Sequence, residues 1–411
     1  MSASSSLLVR QARTPDDDRL VDVLVEAGRV TAVGPRLEAP PGVEVLEANG
    51  QVLLPGLVDS HLHLDKTLMG EPWIPLPEAI DLRGRMAASD RVLAHATRRS
   101  TEERAAALVR SALAFGTTAL RSHVDVKPSA GLAPLEALLR TREQFAGLMD
   151  MQLVAFPQDG VLRSPGTEAL LDEALALGAD VLGGIDPGGM DGDLDGQLRC
   201  LFRLARRHEV GLDIHLHDPG SLGAFEMARI VEWTLAEGFQ GRVAISHAFA
   251  LGEVDDREAA ALIERLARAE ITIVTNGPGH RPSPRVPALW AAGVRVAIGN
   301  DNVHDAWWPW GRGDLLERTF LVSYRSGLRT DAELRLALRS ATLAGAELLG
   351  LGPYGVIPGA TADFVLVAAS CAPEAVAAHP ARAAVLKRGR VLARDGQLLA
   401  SVPGTSGGRR R

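Results

Sequence analysis

The stretch LPGLVDSHLHLDKT, Leu54–Thr67, decides the fold of this chain. Its apolar run ends in His61 and His63, and alternation along a strand turns both imidazoles to one side. A doubly wound nucleotide-binding sheet would carry a Gly-rich phosphate turn at this point, whereas a strand closing on polar, metal-capable residues suits the first strand of a (β/α)8 barrel. Further along the chain, apolar strand-like segments recur at TTALRSHVDV (117–126), MQLVAFP (151–157), DVLGGIDP (180–187), GLDIHLH (211–217), RVAISH (242–247), ITIVTNG (271–277) and VRVAIGND (294–301). Helical stretches such as TEERAAALVRSALAFG and EALLDEALALG separate them. Eight strands in βα alternation over roughly 300 residues have the size and rhythm of a TIM barrel.

The two ends of the chain read differently. LLVRQAR (7–13), VDVLVEAGRVTAVG (21–34) and VEVLEANGQVLLPG (43–56) are short β-like runs with Ala27-Gly28 at a hairpin turn. ADFVLVAA (362–369) and AAVLKRGRVLARDGQLL (383–399) repeat the signature, with Arg388-Gly389 and Asp395-Gly396 at the turns. Either fragment alone is too small to bury a face, so the expected organisation is one β-sandwich domain from residues 1–56 and 355–411, around a barrel spanning 57–354.

With 46% hydrophobic and 23% charged residues the composition is globular, and a net charge of −7 offers no basic field for nucleic acid or an anionic membrane. Small-molecule substrates fit better. The two cysteines, Cys200 and Cys371, supply neither a disulfide framework nor a thiolate zinc cluster. Residues 1–10 lack the features of a signal peptide, and no apolar window is long enough to span a bilayer, so a soluble cytoplasmic protein is expected. The oligomeric state is left open, and a homo-oligomer is compatible with the sequence.

The chemically capable residues collect at the C-terminal ends of the predicted strands. His61, His63 and Asp65 close the first strand, and His123 and Asp125 the second; Gln158 follows the third. His215, His217 and Asp218 close the fifth, His247 the sixth, Asn276 the seventh, and Asp301 and Asn302 the eighth. In a barrel these ends share one mouth, where barrel enzymes place their chemistry. His61 and His63 by themselves also fit a satisfied loop. With His215 and Asp301 they become three imidazoles and a carboxylate, a set suited to zinc or ferrous iron. GGIDPGGMDG supplies no lysine for a carbamate bridge between two ions, so the site reads as mononuclear, with His217 either lining the pocket or supporting a ligand from behind. His123 either orients a ligand or lines the pocket. Trp307, Trp308 and Trp310 are either a core plug or a flat wall for a planar substrate, and His280 and His304 lie in neighbouring loops.

These motifs resemble the amidohydrolase superfamily, and within it the cytosine deaminase group. LPGLVDSHLHLDKT is similar to the family's metal-binding first strand, and VAFPQDG to its third-strand segment with a substrate-contacting glutamine. HLHDPG resembles its fifth-strand HxxE, ISHAFAL its sixth-strand histidine, and IGNDNVHDAWWPWG its eighth-strand aspartate with an aromatic run. The resemblance implies that His61, His63, His215 and Asp301 hold one divalent metal, zinc or iron. It implies that His247 stabilises a developing oxyanion, that Asp301 takes a proton from the attacking water, and that Gln158 bonds the substrate's ring edge.

Two positions depart from the cytosine deaminase pattern. Asp218 stands where that group has a glutamate proton shuttle, and Asn302 where it has a second aspartate that contacts the substrate. A mispaired buried polar group costs about 1–3 kcal/mol, so Asn302 changes which ring tautomer or substituent is favoured and leaves open whether cytosine itself is the substrate. The reading implied is a metal-dependent hydrolytic deaminase of a small planar N-heterocycle such as a cytosine-like pyrimidine, a triazine or a related ring, with Asp218, His247 and Asp301 catalytic. Gln158, Asn302, Trp307, Trp308, His217 and His123 are the expected substrate-side residues. The alternative is hydrolysis of a cyclic amide or an N-alkylamino substituent at the same site. A chain decayed to mere metal or ligand binding would leave a role empty, and none is.

Overall fold

The structure, a computed structural model, describes residues 6–79, 81–279, 281–400 and 402–404. Eight parallel strands form its centre: β1 (Leu57–Leu62), β2 (Thr117–Asp125), β3 (Asp150–Phe156), β4 (Val181–Ile185), β5 (Gly211–Leu216), β6 (Val243–His247), β7 (Thr272–Thr275) and β8 (Val296–Ile298). Each pairs with the next in chain order, and a parallel bridge between Leu62 and Asp301 closes the ring. Helices alternate with the strands, as in Thr101–Ala114 after β1 and Leu194–Arg207 after β4. Both faces of the strands are covered, which is why β1, β2, β4 and β6 are buried at every position and read as nearly continuous apolar runs. The expected TIM barrel is the observed one.

The chain ends form a separate nine-stranded mixed sheet. Leu7–Thr14, Asp17–Glu26 and Arg29–Gly34 pair antiparallel in sequence order, while Phe364–Val367 lies antiparallel to Val52–Pro55 and leads on to Arg382–Lys387 and Arg390–Arg394. The N-terminal and C-terminal halves join where Val52–Pro55 pairs with Phe364–Val367, and they enclose one apolar core that includes Val9, Val23, Leu53, Phe364 and Leu386. This is the sandwich expected from two fragments that could not bury a face alone. Its hairpins turn on Ala27-Gly28, Arg388-Gly389 and Asp395-Gly396, each pair left-handed at both residues, the turn whose twist matches paired strands.

The sandwich is fixed to the N-terminal end of the barrel by buried charge. Lys387 donates to Thr118 O at 3.0 Å and to Asp150 Oδ2 and Asp363 Oδ2, both at 2.6 Å. Arg382 pairs with Asp314 and donates to Phe115 O at 3.0 Å. At the other end, the long connection after β1 contains a helix, Leu82–His95, that the sequence reading passed over, and β4 runs into a π-helical turn, Pro187–Asp191. Among the described residues no helix is long and apolar enough to cross a membrane.

Candidate metal-dependent active site

At the C-terminal mouth, β1 and the end of β8 bring His61, His63 and Asp301 together. His61 Nε2 lies 3.4 Å from His63 Nε2, and Asp301 Oδ1 lies 3.5 Å and 3.3 Å from those two nitrogens. His215 from β5 and His247 from β6 each bring a ring nitrogen within 4.8 Å of a nitrogen of His61. Local backbone makes this approach feasible. A Cβ on Gly299 would fall 2.5 Å from His61 Cβ, so only glycine lets β8 pass β1 so closely. Beside it, Asp59 Oδ1 and Oδ2 accept from the Asn300 backbone N–H at 3.0 Å and from its Nδ2 at 2.7 Å.

Both ring nitrogens of His215, Nδ1 of His63 and Nε2 of His247 are buried without a hydrogen-bond partner among the described residues. Buried polar atoms are normally paired, and a cluster left open in this way fits a cation. Burial pushes the His63 imidazole down to about 4, with Lys66 adding to the effect. His215 and His247 are held well below the ordinary value, by burial first and by neighbouring imidazoles second. Burial alone would raise Asp301, but its contacts with His61 and His63 hold it well below the carboxylate range. Neutral imidazoles beside an ionised carboxylate are the protonation states a divalent ion requires. The orientation is fixed from behind: Asn276 Nδ2 donates to Asp301 Oδ2 at 2.7 Å, and His61 Nδ1 lies 2.9 Å from Ser246 Oγ, which donates to Asp213.

Above the cluster opens a cavity of about 680 Å³. His63, His215, His247 and Asp301 form part of its floor, and Gln158, His217, Asp218, Asn302 and the three tryptophans line its sides. Trp307 and Trp308 are half-buried, their backbone N–H groups donating to Asp305 Oδ1 at 2.8 Å each, while Trp310 is 65% exposed. Asn302 spends its Nδ2 on Asp305 Oδ2 at 2.6 Å, so it braces the tryptophan loop. His217 Nδ1 lies 2.8 Å from Asp186 Oδ2; burial alone would lower it, and that carboxylate raises it above the ordinary histidine value. Asp218, half-buried, accepts from the Gly189 N–H at 2.7 Å.

One expected substrate-side residue is placed elsewhere. His123 does not line the cavity; it is wholly buried, stacked 4.0 Å behind His61 and 3.8 Å from Asp213. The strand β2 continues for two residues beyond it, so His123 falls one layer below the mouth. His304 packs on Trp73 with ring centroids 5.9 Å apart, and His280 lies outside the described residues.

Three residues that line the cavity escaped the sequence reading. Lys66 Nζ, buried, donates to Gln158 Oε1 at 2.6 Å, pairs with Asp125 Oδ1 at 2.8 Å and sits 5.8 Å from the Trp307 ring centroid. Asp186 holds the backbone N–H groups of both His217 and Asp218 with one oxygen. Arg281 donates to His217 O at 2.6 Å while pairing with Glu253. The usable signals were Lys66 directly after the HxH strand and Asp186 at the end of β4, both at barrel-mouth positions.

A barrel with a His/Asp cluster at its C-terminal mouth and a sandwich built from both ends defines a metal-binding hydrolase. The chain belongs to the amidohydrolase family, whose model matches residues 44–393. It is 44% identical to N-isopropylammelide isopropylaminohydrolase from Burkholderia multivorans, with a TM-score of 0.92 over 96% of this chain and 100% of that one. It is 30% identical over 410 residues to the N-isopropylammelide isopropyl amidohydrolase of Pseudomonas sp. (strain ADP), covering 97% of this chain and 100% of the relative. The 5-methylcytosine deaminase of Klebsiella pneumoniae liganded with phosphonocytosine shares 27% identity, with a TM-score of 0.83 over 94% of this chain and 98% of that one. The chain is thus a hydrolase of carbon–nitrogen bonds other than peptide bonds, in the cytosine deaminase-like group.

Proposed function

We propose that this enzyme hydrolytically displaces an amine from an amino-bearing sp² carbon of a small, planar, ring-oxygenated N-heterocycle, with N-alkylated ammelides as the leading substrate class. The observation that carries the reading is a single cavity whose floor is the open His/Asp cluster and whose wall sets the buried Lys66 cation beside Trp307. The whole-length likeness to two isopropylammelide enzymes supports an alkylamine over ammonia as the leaving group. Both are one reaction at the ring carbon: water adds, the C–N bond breaks, and oxo product and amine leave.

His61, His63, His215 and Asp301 would hold one divalent ion, zinc or iron. When bound, such an ion lowers the pKa of its water toward about 7 and so supplies a nucleophile at neutral pH. Asp301, ionised and steadied by Asn276, takes the proton from the attacking water. His247, with Nε2 unpartnered in the cavity, stabilises the oxyanion that develops on the ring. Asp218 carries a proton to the departing nitrogen. Lys66 meets a ring oxygen, Gln158 bonds the ring edge from beside it, and Trp307 and Trp308 cover the ring face. The unpaired cysteines fit action in the cytoplasm.

The test is release of isopropylamine or ammonia by metal-loaded enzyme from N-isopropylammelide and from amino-substituted pyrimidines, purines, triazines and imidazolones, with His63→Ala as the blank. Isopropylamine from N-isopropylammelide, absent in the blank, is the expected result. Ring opening of a cyclic amide without amine release would replace this reading with the cyclic-amide alternative.

A further inference from the structure

Glu226 lies on the buried face of the helix Gly220–Ala236, wholly shut from solvent. Its Oε1 accepts from the Gly188 N–H at 2.5 Å, and no donor reaches its Oε2 among the described residues. The charged groups that reach it are the carboxyls of Asp218 and Asp186, and no lysine or arginine pairs with it among the described residues. A carboxylate in such a place is costly, and the group answers by remaining protonated. Burial, with Asp218 and Asp186 adding to it, pushes Glu226 up to about 8.

A neutral carboxyl needs an acceptor for its hydroxyl, and Asp218 is at hand. Consecutive amides of the Pro187–Asp191 turn hold the two carboxyls side by side, Gly188 on Glu226 and Gly189 on Asp218. The turn leaves no room for side chains there: a Cβ on Gly188 would lie 2.8 Å from Glu226 Oε1, and one on Gly189 only 2.2 Å from Asp218 Oδ1. Asp218 itself is raised by burial first and Asp186 second, with Gly189, Glu226 and His217 opposing.

We propose that Glu226 and Asp218 share one proton across the Gly188-Gly189 turn, and that Glu226 is the positioning residue that holds Asp218 at the cavity wall. The inference rests on the reading that Asp218 passes protons to the departing amine. It also accounts for an aspartate at position 218: a second carboxyl behind it supplies the support that a longer side chain would give itself. In one turnover Asp218 gives a proton to the leaving nitrogen, the attacking water gives one up, and the shared proton is restored.

Below about pH 8 Glu226 is neutral and donates; above it, two adjacent carboxylates repel and Asp218 loses its support. Amine release is therefore expected to fall as pH rises through about 8. Glu226→Gln keeps the shape and a donor but cannot ionise, so it should abolish that alkaline limb. Glu226→Leu has no donor and should lose roughly 10-fold in kcat at neutral pH with KM little changed. Infrared titration of the carboxyls reads the pair without turnover. Wild type should show one carboxyl titrating near 8, absent in Glu226→Gln and moved lower in Asp218→Asn. No such carboxyl, or an alkaline limb unchanged in Glu226→Gln, overturns the proposal. A protein that releases no amine from any substrate yet keeps this carboxyl overturns the functional reading and leaves the shared proton supported.

Discussion

The cations buried at the base of the barrel and the imidazoles buried at its mouth stand in opposite conditions. At the base, Lys387 Nζ has three acceptors within 3.0 Å, and Arg382 has a carboxylate and backbone carbonyls. At the mouth, His63, His215 and His247 keep buried ring nitrogens without partners among the described residues. A chain that can satisfy every donor of a buried lysine at one end has not failed to do so at the other. The open atoms are held for something the chain does not itself supply, and the difference separates what fastens the fold from what performs its chemistry.

The hardest test of that contrast is His63→Ala. Metal content should fall below one ion per chain by elemental analysis and amine release by at least about 10³-fold, with the barrel still folded. Retention of both would end the comparison. Lys387→Met is the counterpart at the base, stranding Asp363 in the interior. It should cost about 3–5 kcal/mol in denaturant unfolding while leaving turnover per folded molecule unchanged. Asn276→Ala sharpens the mouth alone: Asp301 loses the donor on Oδ2, and metal affinity should weaken by about 10–100-fold in a competition titration. Trp310→Ala should be nearly silent, changing KM by less than about twofold, because the side chain is largely in solvent. A larger effect there would show that the loop closes over substrate with all three rings.

What could be read in advance follows the same division. His61, His63, His215 and Asp301 announce themselves because each sits where an apolar run stops, and a barrel gathers those stops into one place. The sandwich was legible through its three left-handed turn pairs. Lys66 was not, because a lysine after a strand reads as a solvated loop residue until Asp125 and Gln158 are known to surround it. Asp186 reads as part of a glycine-rich turn, and only the structure shows one of its oxygens serving two successive amides at the end of another strand. Glu226 hides in an amphipathic helix, where periodicity reports which residues face inward but not that the neighbour across the gap is another carboxyl. Asn302 was legible as a departure from a family pattern, though only the structure shows that its donor is taken by Asp305.

One detail of the barrel's closure carries a consequence beyond catalysis. The ring is sealed where Asp301 bridges to Leu62, with the Asp301 N–H donating 2.7 Å to His61 O, so a residue proposed above to hold the ion also clasps the last seam. Cation binding and ring closure are then a single linked equilibrium, and free metal should tighten the seam between β1 and β8 by RT ln(1 + [M]/Kd). Chelation would act as a latch released on that one side: amides of β1 and β8 should exchange first, while the seams around β3 to β6 stay shut.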